Sequence, residues 1–486
     1  MRAHLPWLAA LTLLACDSGD SRSGNSEIPE EQRSAPNILL LIADDVGVEQ
    51  FASFGLGFEP AATPNLDLLA ARGMQFSTVW SQPLCSPTRA TLLTGRYGFR
   101  TGVGFPVLGE GVNGSYPVER PEPLSGAPVE AREVPSDFLP YLLQYKPADK
   151  DFISYGLRPD EVALPSLLRE TAGYATAAIG KWHLADTRNG WLEHPGNVGF
   201  EHYSVNMLNA PESFFSWREN VNGVLEHRTG YTAQRKIDDA LEWLEERDER
   251  PWLLWMAFNL GHYPLHVPEL EGGDTSNVSP ENRHAALDSM IARLDQEIGR
   301  LLNAMGDATL ENTVVVFLGD NGTTGNVIDP PFDADRAKFT VYEGGLRVPL
   351  IIAGPGVPQG VTSDALVNTT DIFATILDLA GASLPADLKH DSKSLLPYFA
   401  NTTRESIRTY LYADVFNSEY GLTEGAFAVR DSEFKLIHKR DGRELYNLGR
   451  DPYESTDLLI DGISEQEQAA IDRLDEILNS LHGSEE

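Results

Sequence analysis

Four apolar runs constrain this chain more than any other feature. They are NILLLIA (Asn37 to Ala43), YATAAIG (Tyr174 to Gly180), WLLWMAFNL (Trp252 to Leu260) and TVVVFLG (Thr313 to Gly319). None alternates apolar with polar residues. Each therefore predicts a strand buried on both faces, as in a mostly parallel sheet covered by helices. The covering helices are legible as well. Met290, Leu294, Ile298, Leu301 and Leu302 recur at helical spacing within Ala286 to Met305, and Thr232 to Arg247 leads into the third strand. The reading is an α/β fold, and 486 residues allow one large unit and a smaller one.

The residues just beyond each strand point to a site. Asp44 and Asp45 come after the first, Lys181 and His183 after the second, Gly261 and His262 after the third, and Asp320 and Asn321 after the fourth. Ligands in open α/β sheets bind beyond the carboxyl ends of the strands. Taken singly, Asp-Asp reads equally as a helix cap and Asp-Asn-Gly as a turn. Four strands ending alike favour one shared rim.

Beyond about Pro355 the pattern changes. Thr370 to Ala382 predicts a further helix, YLYADVF, AFAVRD and FKLIHKR predict short antiparallel strands, and Asp472 to Leu481 predicts a closing helix. The expected division is a catalytic domain over 37–399 and a C-terminal subdomain over 400–486. A Pro-, Gly- and Glu-rich insertion over 106–158 carries little periodicity.

The formal net charge of −34 argues against nucleic acid as a partner. Arg2 and His4 precede an apolar run, Leu5 to Ala15, too short to span a bilayer and suited to a signal peptide over 1–15. The run ends LLAC, which resembles a bacterial lipobox. Lipidation of Cys16 would place the protein on a membrane by a lipid anchor, in the periplasm or at the cell surface, with 16–36 as a polar tether. The alternative is an ordinary cleaved signal peptide on a secreted protein. If Cys16 carries lipid, Cys85, the other of the two cysteines, has no disulfide partner. Ser86-Pro87 then opens a helix, which puts Cys85 at its N-terminus with Arg89 four residues on. A plain thiol in that setting is expected to be acidic and nucleophilic.

CSPTRATLLTGR, Cys85 to Arg96, resembles the signature of the type I sulfatases, and six further blocks lie in the family's order: NILLLIADDVG, AAIGKWHL, GHYPLHVP, VVVFLGDNG, KFTVYEGGLRVP, and the C-terminal pair FAVRDSEFKLI and ELYNLGRDPYE. The resemblance implies the alkaline-phosphatase-like fold and hydrolysis of sulfate monoesters. It implies that a formylglycine-generating maturation enzyme oxidises Cys85 to formylglycine. Asp44, Asp45, Asp320 and Asn321, completed by modified Cys85, would bind one divalent cation; hard oxygen donors suit calcium. One hydroxyl of the hydrated aldehyde would attack sulfur. Arg89, Lys181 and Lys338 would hold the sulfate oxygens, and His262 and Lys338 would protonate or stabilise the leaving alcohol. His183 would deprotonate the second hydroxyl, releasing sulfate and restoring the aldehyde. Glu343 and Arg347 fall in a matching block and read as backbone braces, and His266 as a pocket residue. YGFRTGVG after the signature is more similar to arylsulfatases and N-acetylgalactosamine-sulfatases than to choline- or glucosamine-N-sulfatases. The expected substrate is an aryl sulfate or a sulfated carbohydrate. Two rivals remain: a phosphonate monoester or phosphodiester hydrolase of the same fold, and a lipoprotein that binds sulfated glycans with Cys85 unmodified.

Overall fold

Every apolar run forms a strand of a single ten-stranded sheet in the computed structural model, which describes residues 35–107, 156–211, 213–268, 278–416, 425–440, 442–460 and 462–483. The expected signal peptide, Cys16, the tether through residue 34 and residues 108–155 of the insertion lie outside the described residues. The strands are β1 (Asn37–Ala43), β2 (Gly73–Trp80), β3 (Ala175–Lys181), β4 (His202–Asn206), β5 (Ser216–Val221), β6 (Val224–Thr229), β7 (Trp252–Ala257), β8 (Thr313–Gly319), β9 (Leu350–Ala353) and β10 (Val361–Asn368). Their order is β10-β2-β9-β8-β1-β7-β3-β4-β5-β6. The centre, β8-β1-β7-β3-β4, is parallel throughout; β9 and the β5–β6 hairpin run antiparallel.

Strand alternation sorts the core into two layers. Ile38, Leu40 and Ile42 of β1 face one side with Leu253, Trp255, Val314 and Val316. That side is covered by the helices Cys85–Thr94, Leu164–Ala172 and Asp371–Ala380. Leu39 and Leu41 face the other side with Leu254, Met256, Val315 and Phe317, under the helices Pro64–Ala71, Thr232–Glu246 and Arg283–Met305. The stripe Met290, Leu294, Ile298 and Leu301 is fully buried there. This double cover is why the central strands read as unbroken apolar runs.

A second sheet is antiparallel, ordered β11 (Leu411–Phe416), β12 (Gly425–Arg430), β13 (Phe434–Lys439), β14 (Gly442–Asn447). Phe427, Val429, Leu436 and Leu445 pack against Leu474 and Leu478 of the helix Glu465–Gly483. The opposite face, with Ala428, Ile437 and Tyr446, packs on Trp80, Tyr342 and Leu346 of the main unit.

Close approach of backbones at the strand ends requires glycine at two positions. Gly180 has φ +102°, and a Cβ there would lie 1.8 Å from the Ala257 carbonyl oxygen. Gly261 has φ +103°, with the Asp44 carbonyl oxygen 2.1 Å from the same point. Gly180→Ala is expected to lower the unfolding free energy by about 2–4 kcal/mol, since it adds backbone strain to a clash. A urea midpoint equal to that of the unaltered protein would show that β3 and β7 can part at little cost.

Candidate active site

The four strand ends do meet, joined by one helix start and one loop. β1 runs into Asp44 and Asp45, β3 ends on Lys181, β7 leads to His262, and β8 runs into Asp320 and Asn321. Asp45 and His183 adopt left-handed backbone conformations, φ 59° and 55°, which turn the chain sharply as it leaves the sheet. Cys85 is the first residue of the ten-residue helix Cys85–Thr94, with Pro87 in its opening turn. Arg89 lies four residues on and so shares the face of Cys85. Lys338 arrives on a loop whose backbone N–H donates to the Thr323 carbonyl, 3.0 Å away. All ten residues expected at the site are buried.

Three cations pair with three carboxylates. Arg89 donates through Nε (3.1 Å) and Nη2 (2.7 Å) to Asp320 Oδ2. Lys181 Nζ donates to both oxygens of Asp44, at 2.9 and 2.8 Å. Lys338 Nζ donates to Asp45 Oδ1. The second oxygen of Asp320 accepts from the Asp45 backbone N–H at 3.1 Å, which ties the first and fourth strand ends together. Buried charges are tolerated only when paired in this way. With all three carboxylates ionised, the state that calcium requires, the three cations are balanced and a divalent cation would supply the centre's whole net positive charge.

Asn321 provides the test of whether a cation fits. Its Nδ2 donates to Asp45 Oδ1 (3.0 Å) and to the Gly322 carbonyl (2.9 Å), which fixes the orientation of the amide. Its Oδ1 is then a buried acceptor without a hydrogen-bond partner among the described residues. An orphaned carbonyl oxygen beside three carboxylates suits a hard cation. Asp44, Asp45 and His262 place one potential ligand atom each within 4.8 Å of one another, so His262 borders this cluster more closely than its expected role at the leaving group implies. Burial raises Asp44 to about 8 despite the opposing pull of Lys181. Burial also acts upward on Asp45, but the ammonium groups of Lys338 and Lys181 outweigh it and hold that carboxyl below its usual range.

Cys85 Sγ lies 3.2 Å from His183 Nδ1. His183 Nε2 is 2.9 Å from the Val107 carbonyl oxygen, which can only accept, so the ring proton sits on Nε2 and Nδ1 presents a lone pair to Cys85. Ser86 Oγ donates to the His183 carbonyl at 2.7 Å and accepts from the Val107 N–H at 3.2 Å, fixing both histidine anchors to the helix start. Burial, reinforced by Lys181, pushes His183 well below its ordinary value and keeps it neutral. Burial pushes His262 down to about 3.

Two sequence expectations need revision, and one site residue is new. Burial raises the Cys85 thiol above its ordinary value in spite of Lys181 and Lys338, against the acidity expected of a plain thiol here. His266 is no pocket residue. It is fully buried, 3.0 Å from the Tyr231 hydroxyl, with its ring 4.3 Å from that of Phe214. Asn209, which the sequence did not single out, belongs to the site: its Oδ1 accepts from Lys181 Nζ at 2.9 Å and lies 3.6 Å from Cys85 Sγ. It sits in the loop after β4, with no motif to mark it. Glu343 and Arg347 do brace backbone and core. Glu343 accepts from Trp80 Nε1 at 2.9 Å, and Arg347 donates twice to the Ser77 carbonyl.

Comparison with known proteins agrees with this geometry. The Sulfatase family profile matches residues 36–382, and a profile described as N-sulphoglucosamine sulphohydrolase, C-terminal, matches 335–482. N-acetylgalactosamine-6-sulfatase of Canis lupus familiaris is 32% identical over 392 residues, 74% of this chain and 65% of that protein. Arylsulfatase G of Rattus norvegicus is 30% identical over 489 residues, 89% of this chain and 80% of that protein. A protein solved in complex with its substrate D-glucosamine-2-N,6-O-disulfate superposes with a TM-score of 0.65 at 20% identity, covering 93% of this chain and 99% of that one. The profile matches and the two curated relatives place the chain in one group: it belongs to the sulfatase family, the type I sulfuric ester hydrolases of the alkaline phosphatase superfamily.

Proposed function

We propose that the protein hydrolyses sulfate monoesters after Cys85 has been oxidised to formylglycine by a maturation enzyme, with one calcium ion held by Asp44, Asp45, Asp320 and Asn321 beside residue 85. The observation that carries this reading is the closed set of three ion pairs around Cys85, with the orphaned Asn321 Oδ1 among them. Hydrated formylglycine supplies two hydroxyls on one carbon, one to attack and one to release sulfate, and the cation supplies Lewis acidity.

The chain's own residues do the rest. Lys181, Arg89 and Lys338 hold the sulfate oxygens and the charge that develops on them. His183, neutral and fixed through Nε2, takes a proton at Nδ1 from the group at position 85. His262 Nδ1 lies 2.8 Å from the Tyr263 carbonyl, so its proton is engaged there and Nε2 is bare. The proton for the leaving alcohol therefore comes from Lys338, with His262 contributing once a bound anion raises it.

A sulfated carbohydrate is the favoured substrate, supported by the names of the canine relative and of the ligand in the solved neighbour. An aryl sulfate is the convenient probe. The C-terminal profile carries the name of a different sulfatase from the two curated relatives, so sugars sulfated at different positions are the discriminating substrates. Export and a lipid anchor on Cys16 rest on the N-terminal sequence alone. The test of the hydrolytic reading is sulfate release from defined sulfated sugars by protein whose Cys85 has been shown to be matured. No release from any sugar or aryl sulfate would reject it, and faster turnover of an aryl phosphonate would favour the rival hydrolase.

Calcium binding should be linked to protons. Asp44 stands at about 8 in the cation-free fold, against an ordinary 3.8. An acid raised on folding binds more protons folded than unfolded between those values. The cation-free protein therefore loses stability as pH climbs through that window. Calcium needs the charged carboxylate and expels the proton. Calorimetry at pH 7 in buffers of different protonation heat should find roughly one proton released per calcium, and fewer well above pH 8. Proton-free binding at pH 7 would contradict this.

A further inference from the structure

Two of the exposed large apolar side chains directly succeed site residues in the chain. Tyr263, 36% exposed, comes after His262, and Phe339, 55% exposed, comes after Lys338. His262 and Lys338 are the two most exposed of the ten site residues, at 8% and 7%. They face the two oxygens of one carboxylate: His262 Nε2 is 3.8 Å from Asp45 Oδ2, and Lys338 Nζ is bonded to Asp45 Oδ1. The site therefore reaches solvent between these two residues, and a leaving group must extend past them.

Both residues are anchored, Tyr263 through its hydroxyl and Phe339 through its backbone. Asn326 Nδ2 donates to the Tyr263 hydroxyl, and Thr323, three residues earlier on the same loop, accepts from the Lys338 N–H. The Phe339 N–H donates to the carbonyl of Pro83, two residues before Cys85, at 3.1 Å. Phe339 has φ +79°, a conformation that costs a bulky residue energy and that Gly or Asn would adopt more easily. Strain of this kind at a site edge marks a side chain kept for what it contacts. An exposed aromatic face also gains most by covering another apolar face.

We propose that Phe339 and Tyr263 form the leaving-group subsite and stack on the face of a six-membered ring that carries the sulfate. The proposal rests on the sulfatase reading for what enters the site. The shared chemistry is a flat apolar ring face, offered by an aryl group or by the C–H face of a pyranose. It excludes acyclic alkyl sulfates as good ligands.

Binding in a Cys85→Ala background, on the full chain with calcium present, separates this proposal from the hydrolytic one, since nothing turns over. Three esters are titrated calorimetrically: phenyl sulfate, galactose 6-sulfate and ethyl sulfate. Phe339→Asn keeps the left-handed backbone and removes the ring; Tyr263→Leu removes the second. The pair should weaken binding of the ring esters about tenfold while ethyl sulfate changes less than about twofold. Phe339→Trp should retain the ring preference. Weakening for one ring ester alone supports the subsite and names its ring. Equal weakening of all three esters, or none, overturns it. Failure of the Cys85-bearing, matured protein to release sulfate would instead overturn the hydrolytic reading and leave this result standing.

Discussion

Cys85→Ser is expected to abolish sulfate release, with a loss of about 10⁴-fold or more, because serine has one hydroxyl where two are needed. The fold should survive. Residue 85 is fully buried, and a serine hydroxyl can donate to His183 Nδ1 as the thiol does at 3.2 Å. The cost in stability should be about 1 kcal/mol, a shift of a few degrees in Tm at most. The paired measurement is sulfate release and thermal unfolding on the same preparation. Unimpaired release from the serine variant would mean that residue 85 is not the nucleophile's source. A collapse of Tm would mean that the loss of activity reported folding rather than chemistry.

Asp320→Asn should be nearly as severe, and for two reasons at once. Both oxygens of Asp320 accept: Oδ2 from Arg89 and Oδ1 from the Asp45 N–H. Whichever way an asparagine amide is turned, its NH₂ confronts one of those donors. Arg89, fully buried, also loses its counter-charge. Breaking a buried pair on one side costs about 3–5 kcal/mol. The same change removes one of the carboxylates proposed to hold calcium and lets the Asp45 turn drift from Asn321. Turnover at saturating calcium should drop about 10³-fold or more. Urea unfolding with and without calcium reads the two effects separately: the calcium-dependent part of the stability should shrink along with the total. A variant that keeps both its stability and its turnover would remove Asp320 from the account.

The fold was readable where burial was two-sided. β1 and β8 begin and end where their apolar runs do, because nothing but the sheet can bury NILLLIA or TVVVFLG on both faces. The third run stops at Ala257, three residues short of its apolar end, since Phe258 to Leu260 leave the sheet to carry the chain towards His262. β2, GMQFSTVW, was missed because Gln75, Ser77 and Thr78 interrupt its pattern. β6 was missed because its side chains face solvent, although Asn222-Gly223 before it is a sound hairpin signal. The closing helix begins at Glu465, seven residues before the expected start at Asp472, because its first turn is polar and the apolar stripe opens only at Ala470 and Ile471. At the site, the residues at strand ends are legible because each lies directly beyond an apolar run. Asn209 is not, because its contribution comes from where the β4 loop folds over Lys181. The acidity expected of Cys85 failed for a related reason. Local sequence shows a helix start, but only the packed fold shows how completely the thiol is removed from water.

The central claim is that residue 85 acts as an aldehyde made from cysteine. The most direct measurement is the mass of the peptide spanning Cys85, taken from a preparation that is releasing sulfate. The account predicts a peptide that has lost one sulfur and two hydrogens and gained one oxygen, in proportion to activity across preparations. A fully active preparation carrying only the intact thiol would contradict it.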